Sequence, residues 1–376
     1  MSDDDRLAVA YLSRVAEPPC PALARLVRRV GPVEAARLVK SGNVDDEVER
    51  STAARRAIDC AAADLETLDR RGGRLITAAD HEWPLLSFTA FAGVNNRERP
   101  EGHPPFALWV VGEARLDDMA QRAVAIVGTR ACTAYGEHVA ADLAAGLVER
   151  DVTVVSGGAY GIDGAAHRAT LGSDGFTVAI VAGGIDVPYP SGHAGLLHRV
   201  ARDGLVISEY PPGVRPARHR FLTRNRLVAA LSDATVVVEA GARSGAANTA
   251  AWARALGRPV CAVPGPVTSA ASVGCHALLR DGANLVTRAA DVVELMGHIG
   301  ELAPDEARPG SLLDGLGDAE QRVYDALPAR GRRSTDEIAV ASGLPPMQVL
   351  GPLSMLEVCG LITRVDGYWK LSKPKT

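Results

Sequence analysis

Residues 153–163 read Thr-Val-Val-Ser-Gly-Gly-Ala-Tyr-Gly-Ile-Asp. A short apolar strand enters a turn rich in glycine (Gly157, Gly158, Gly161), and a helix follows. Consecutive backbone N–H groups at a helix start make an anion site before any side chain is considered. The plainer alternative is a tight turn with a purely structural role. The first two glycines are adjacent, unlike the G-x-G-x-x-G of dinucleotide enzymes, so NAD or FAD is not expected and no cofactor is assigned.

The same alternation extends outward on both sides. Apolar strands are expected at 123–128, 153–156, 177–182, 205–210, 234–240 and 259–264, with helical stretches at 136–149, 192–202, 223–232 and 247–256. Strands that are apolar throughout and separated by helical crossovers predict an α/β, doubly wound parallel sheet over 75–296. Ligands bind such sheets beyond the carboxyl ends of the strands. Residues 90–105 read as a surface loop. Upstream, 1–74 shows helical periodicity broken at Gly31-Pro32, as in a helix-hairpin-helix or SAM-like module, or a helical packing domain. Downstream, 297–316 reads as a linker because of its prolines and glycines. Residues 317–376 predict three helices and a hairpin turning at Asp366-Gly367, which is a winged helix.

Bulk properties narrow the classes. With 376 residues, 47% of them hydrophobic and 23% charged, the chain has material for more than one core, and global disorder is excluded. No apolar run reaches the ~18–20 residues of a membrane span, and the acidic start Met1-Ser2-Asp3-Asp4-Asp5 is unlike a signal peptide. A cytoplasmic protein without a membrane partner is expected. The six cysteines show no C-x-x-C pair and read as small core residues, with no metal site. The formal net charge of -4 hides an asymmetry: between Tyr210 and Arg280 nine arginines face two acids, Asp233 and Glu239. Such a basic stretch on an acidic chain suits a nucleic-acid face.

Four clusters are candidates for contacts with phosphate. Gly128, Thr129 and Arg130 end the first parallel strand and offer close backbone approach, a hydroxyl and a forked cation. Ser156, Gly157, Gly158 and Gly161 form the glycine-rich turn. Arg224, Asn225 and Arg226 follow an arginine-rich segment, in which Phe221 is expected in the core. Ser244 and Gly245 open another helix. Asp163 and His167 lie four apart on one helix, and without a third ligand they read as a cap and an interior histidine. There is no nucleophile elbow, Walker lysine or convincing carboxylate pair, so no catalytic residue is assigned.

Taken in order, Ala125-Ile-Val-Gly-Thr-Arg130, Val155 to Asp163 with Ala166-His167, Ala182-Gly-Gly-Ile-Asp186 with Tyr189-Pro190, Ile207-Ser-Glu-Tyr-Pro211, Arg224-Asn-Arg226, Val238-Glu-Ala240 and Val263-Pro-Gly265 resemble the DNA-processing protein A family (DprA, also called Smf). The resemblance implies an extended Rossmann-like fold that binds single-stranded DNA in a basic pocket, forms a homodimer, and protects incoming DNA and loads the RecA recombinase on it in natural transformation. It implies a binding protein rather than an enzyme. An alternative is a nucleotide-binding enzyme of the phosphoribohydrolase (lysine-decarboxylase-like) type, whose Pro-Gly-Gly-x-Gly-Thr-x-x-Glu signature is missing from 240–245. A transcription regulator led by the winged helix has little support, since the expected recognition helix carries no arginine.

Overall fold

The structure, a computed structural model, describes residues 1–242, 244–297 and 316–372. The chain divides into two compact units, Met1–Ala303 and Pro304–Thr376. The expected linker at 297–316 lies outside the described residues except for its ends, Gly297 and Leu316.

The larger unit is built on a nine-stranded sheet. Its strands are β1 (Gly73–Thr77), β2 (Ala107–Val111), β3 (Ala123–Val127), β4 (Thr153–Ser156), β5 (Thr177–Ile180), β6 (Leu205–Ser208), β7 (Ala234–Val237), β8 (Val260–Ala262) and β9 (Asn284–Leu285). Their order is β1-β2-β6-β5-β4-β3-β7-β8-β9. From β6 to β9 every pairing is parallel, as the apolar runs predicted. β2 and β1 extend this core antiparallel at one edge.

Strand β3 illustrates why the runs are apolar throughout. Ala123, Ala125 and Val127 join one hydrophobic core, while Val124 and Ile126 join another on the opposite face. A strand buried on both sides favours apolar residues throughout, and a polar one there has to find a hydrogen-bond partner inside the fold. The amino-terminal helices close the far face of the β1, β2, β6 and β5 half. Tyr11, Leu12, Leu23 and Leu68 share a core with Trp109, Ala179 and Val206. Ion pairs reinforce this contact. Arg14 grips Asp64 through two bonds of 2.6 Å and donates to the Pro212 carbonyl. Glu17 accepts from Arg220 at 2.6 Å and from Arg55 at 2.7 Å.

Glu17 ties the amino-terminal helices to the first turn of the Arg218–Ala230 helix. Burial alone would raise its carboxyl pKa, but the bonds from Arg220 and Arg55 prevail and hold it at about 2. A depressed folded value stabilises the fold above the ordinary value of 4.5, and this contribution is lost as pH falls toward 2. Glu17→Gln is therefore expected to flatten the acid limb of stability between pH 4.5 and 2, as read by urea unfolding at stepped pH. A limb as steep as that of the unaltered protein would refute the coupling.

The smaller unit is a winged helix. Helices Asp318–Asp325, Thr335–Ser342 and Pro346–Val358 precede the antiparallel strands β10 (Ile362–Val365) and β11 (Tyr368–Leu371). Ser334 and Glu337 form a reciprocal capping box at the second helix. The hairpin turns on Asp366 and Gly367, both at positive φ, the conformation that suits a tight two-residue loop. Val323, Ile338, Leu353 and Trp369 are among its core residues. Of the cysteines, only Cys261 and Cys275 are buried core residues. Cys60 and Cys359 are exposed, which corrects the sequence reading for those two.

Candidate functional site

The parallel order reverses at the β3–β7 neighbours, because β4 to β6 run away on one side and β8 and β9 on the other. Loops diverge from the carboxyl ends of strands at such a point and leave a crevice. Here it is a cleft of about 850 Å³, lined by residues that include Gly128, Thr129, Arg130, Gly157, Asn225 and Ser244.

Steric limits shape its walls. A Cβ on Gly128 would stand 2.5 Å from Ile162 Cγ1 and 2.8 Å from the Glu239 carbonyl, so only glycine lets the loop after β3 pass there. That loop is fixed by backbone bonds. Thr129 N–H donates to the Glu239 carbonyl at 2.7 Å, and Ile162 N–H to the Thr129 carbonyl at 3.2 Å. Glu239 accepts from Thr133 N–H at 2.9 Å and from its hydroxyl at 2.7 Å, anchoring the next helix. Gly158 and Gly161 take φ of +70° and +76°, which turns the chain sharply before the Ile162–Gly172 helix. Across the cleft the Gly245–Ala255 helix begins, and the Ser244 hydroxyl accepts from Ala247 N–H at 3.4 Å.

The Arg218–Ala230 helix supplies the third wall and begins five residues before the expected 223. Ala217, Arg218, Phe221, Leu222, Arg224 and Asn225 line the cleft. Phe221 is half-buried on this open side, which corrects its expected place in the core. The Arg130 guanidinium lies over its ring at 4.9 Å, and the Tyr189 ring is 5.3 Å away. Arg130 and Arg218 are exposed, and among the described residues neither has a carboxylate partner.

Arg224 forms the floor rather than a free arm. Its Nη1 donates to the carbonyls of Gly157, at 2.7 Å, and Ile180, and its Nε donates to Asn225 Oδ1 at 3.2 Å. Burial lowers its pKa to about 10, with Asp163 opposing the shift, so it remains charged at neutral pH. Burial also pushes the Asp163 carboxyl up, and the charge of Arg224 and the bonds from Ala159, Gly157 and Ser156 offset this only in part. Asn225 Nδ2 donates to the Gly245 carbonyl at 3.3 Å and to Asn248 Oδ1 at 3.2 Å, joining two walls.

Four expected contacts are not among the residues that line the cleft: Gly158 and Gly161 shape the turn behind it, and the side chains of Arg226 and Ser156 point elsewhere. Arg226 is wholly buried and ion-paired with Glu209 at 2.7 Å. Successive helical residues point 100° apart, so the residue after Asn225 turns toward the sheet. The Ser156 hydroxyl, also wholly buried, donates to the Ile126 carbonyl at 2.6 Å. Neither side chain reaches a ligand in the cleft. In compensation the structure adds Arg218, Phe221 and Tyr189, which sequence reading did not assign. For Arg218 and Phe221 the signal was the i, i+3, i+4, i+7 spacing of Arg218, Phe221, Leu222 and Asn225 on one helix face, whereas Tyr189 comes from a separate loop and had no such pattern.

His167 is interior. Its Nδ1 pairs with the Thr177 hydroxyl at 2.7 Å, and burial drives its pKa down to about 3, so it is neutral. Among the described residues no group of three or more His, Cys, Asp or Glu is placed to hold a metal, and no helix is long and apolar enough to cross a membrane.

Comparison with known proteins places the chain and its fold. Residues 74–297 match the family model for DNA recombination-mediator protein A, and 304–368 match a DprA winged helix domain. A putative DNA processing protein DprA of Mycobacterium tuberculosis is 69% identical over 371 residues, spanning 99% of this chain and 95% of that protein. Protein Smf of Escherichia coli is 35% identical across 70% of this chain and 71% of its own length. The crystal structure of DNA processing protein A from Streptococcus pneumoniae superposes with a TM-score of 0.63 at 29% identity, covering 79% of this chain and 99% of that one. A Helicobacter pylori DNA processing protein A, described for its single-stranded DNA binding mode, gives 0.50 at 28% identity over 59% of this chain and 94% of that one.

Proposed function

The chain belongs to the DNA recombination-mediator protein A family, and on that premise we propose that its cleft grips the backbone of single-stranded DNA and presents the strand to the RecA recombinase. The observation that carries the reading is the pairing of exposed Arg130 with Phe221 at the mouth of a cleft made by two helix starts and a glycine turn. Cations beside an aromatic face suit a polymer of phosphates with stackable bases. The Helicobacter pylori relative, which binds single-stranded DNA, supports the same ligand here.

In this reading Gly128, Thr129, Gly157, Ser244 and Gly245 bring backbone amides and hydroxyls to the phosphates, and Arg130 supplies charge, joined by Arg218. Phe221 and Tyr189 take a base. Gly158 and Gly161 shape the turn. Arg224 and Asn225 hold the floor, with Arg224 adding fixed positive charge beneath it. The action is positional: the strand is held and handed on, with no bond-breaking step. A homodimer would carry two clefts and hold long strands more tightly than short ones through bivalency. Cytoplasmic protection of incoming DNA and its delivery to RecA in natural transformation follow as the cellular role.

Fluorescence anisotropy with labelled oligo-dT and a matched duplex over a salt series tests the reading. Preference for the single strand is expected, with a log–log salt slope of about -0.7 for each phosphate neutralised. Equal binding of both forms, or none, would redirect the cleft to a smaller phosphate ligand.

A further inference from the structure

A second concavity of about 620 Å³ adjoins the cleft, with Val187 and Pro188 lining the one and Tyr189 the other. Its floor is aliphatic, formed by Val111, Val181, Ile185, Leu197 and Val206. Its rim is basic: Arg70, Arg71, His198 and Arg202 are exposed around it, with Glu113 as the acid among its lining residues. Arg202 is committed to Asp203 through two bonds of 2.7 Å. Arg70 and Arg71 have no carboxylate partner among the described residues, and Arg70 reaches only the Thr67 hydroxyl at 3.3 Å.

The two concavities differ in a way that separates their ligands. The cleft offers aromatic rings beside its cations. Among the described residues no Phe, Tyr or Trp lines the second groove, so its lining gives a base nothing to stack on. Aliphatic floors that desolvate an anchor side chain, ringed by polar groups, are how proteins hold short segments of one another. The volume falls in the range of about 300–1,000 Å³ that takes a compact ligand. Rim cations then select the charge of the partner and speed its arrival.

We propose that this groove docks a short acidic peptide segment of a partner protein, with aliphatic or aromatic side chains on the Val111–Leu197 floor and carboxylates on Arg70 and Arg71. The site is separate from the cleft and stands whether or not the cleft binds DNA.

The test uses the full chain and a panel of fluorescein-labelled hexapeptides, each with four aspartates and two leucines or phenylalanines in varied order. Matched peptides with lysine for aspartate serve as controls. Saturable binding of acidic members alone is expected. The double variant Arg70→Glu/Arg71→Glu should weaken it at least about tenfold, since rim charges reverse from attraction to repulsion, while oligo-dT affinity stays unchanged. Val187→Asp should act likewise from a half-buried position in the groove lining, and Tm checks both variants. If Val187→Asp does not fold, the exposed arginine pair decides alone. No saturable binding across the panel, or binding indifferent to the arginine reversal, would overturn the proposal. So would a loss of oligo-dT affinity as large as the loss for the peptide, which would make the groove a continuation of the strand path.

Discussion

Arg130→Ala is expected to weaken oligo-dT binding about ten- to a hundredfold and to flatten the salt slope by about 0.7. Hydrogen bonds to charged groups contribute about 1.5–3 kcal/mol, and each 1.4 kcal/mol is tenfold in affinity. Arg130 has what this role requires. It is exposed, free of carboxylate partners among the described residues, and stacked over Phe221 at 4.9 Å. The loop around it is held by backbone bonds from Thr129 and Ile162, so its path does not depend on this side chain. Arg130→Lys separates charge from shape. It should keep the salt slope but lose part of the affinity, because an ammonium has neither the fork nor the stacking plane. A folded alanine variant with unaltered affinity and slope would remove Arg130 from the interface.

Arg226→Ala should behave in the opposite way, costing about 3–5 kcal/mol of stability by leaving a buried carboxylate without its partner. With total stabilities of about 5–15 kcal/mol, that is enough to bring many domains near unfolding at ambient temperature. Both members of the Arg226–Glu209 pair are enclosed, and Arg226 is among the largest wholly buried side chains. Glu209 Oε2 and Arg226 Nε and Nη1 find no hydrogen bond among the described residues. A pair in that state is dear to break and adds little net stability. Burial already pushes the Glu209 carboxyl up, with the charge and bond of Arg226 opposing the shift. In the variant this opposition is gone, and a folded value above the unfolded one makes the folded state the better proton binder. The loss should therefore shrink as pH falls through the raised value, and be largest above it. The double variant Arg226→Met/Glu209→Leu should recover most of the stability. Urea unfolding of the three proteins at two pH values decides. A loss under about 1 kcal/mol in Arg226→Ala would mean that the pair is already uncoupled.

The parallel core was legible because strands covered on both faces are largely apolar: β3 is so at every position, and the few polar residues of β4 and β7, Thr153, Ser156 and Thr235, are small and buried. β1 escaped because Arg74 interrupts its apolar run; the structure places that guanidinium on Glu82 and on the carbonyls of Gly112 and Ala114. β9 is two exposed residues and has no pattern to read. β2, although apolar throughout, follows a proline-rich loop, and its antiparallel pairing with β6 is a long-range event that local sequence does not encode.

The glycine turns of the site were legible for a related reason, since backbone sterics at a strand end act on neighbours in sequence. The Arg-Asn-Arg triplet was misread where it lies on a helix. A motif written as three adjacent letters is dispersed around the helix axis, so Asn225 faces the cleft and Arg226 the sheet. Phe221 was misplaced by the opposite error, because an aromatic residue was assumed to seek the core while its neighbours sought water.

The Arg226–Glu209 pair and the cleft face occupy different sides of one rigid rod, and this gives the Arg218–Ala230 helix the character of a ruler. The buried pair locks the rod's rotation. The number of residues from Arg226 back to Phe221 and Arg218 then sets which way the ring and the free guanidinium aim. Losing or gaining one residue in that interval would swing them by about 100°, more than a quarter of a circle, while every chemical group remained present. Substitutions there change the strength of the grip, whereas a change of length changes its direction.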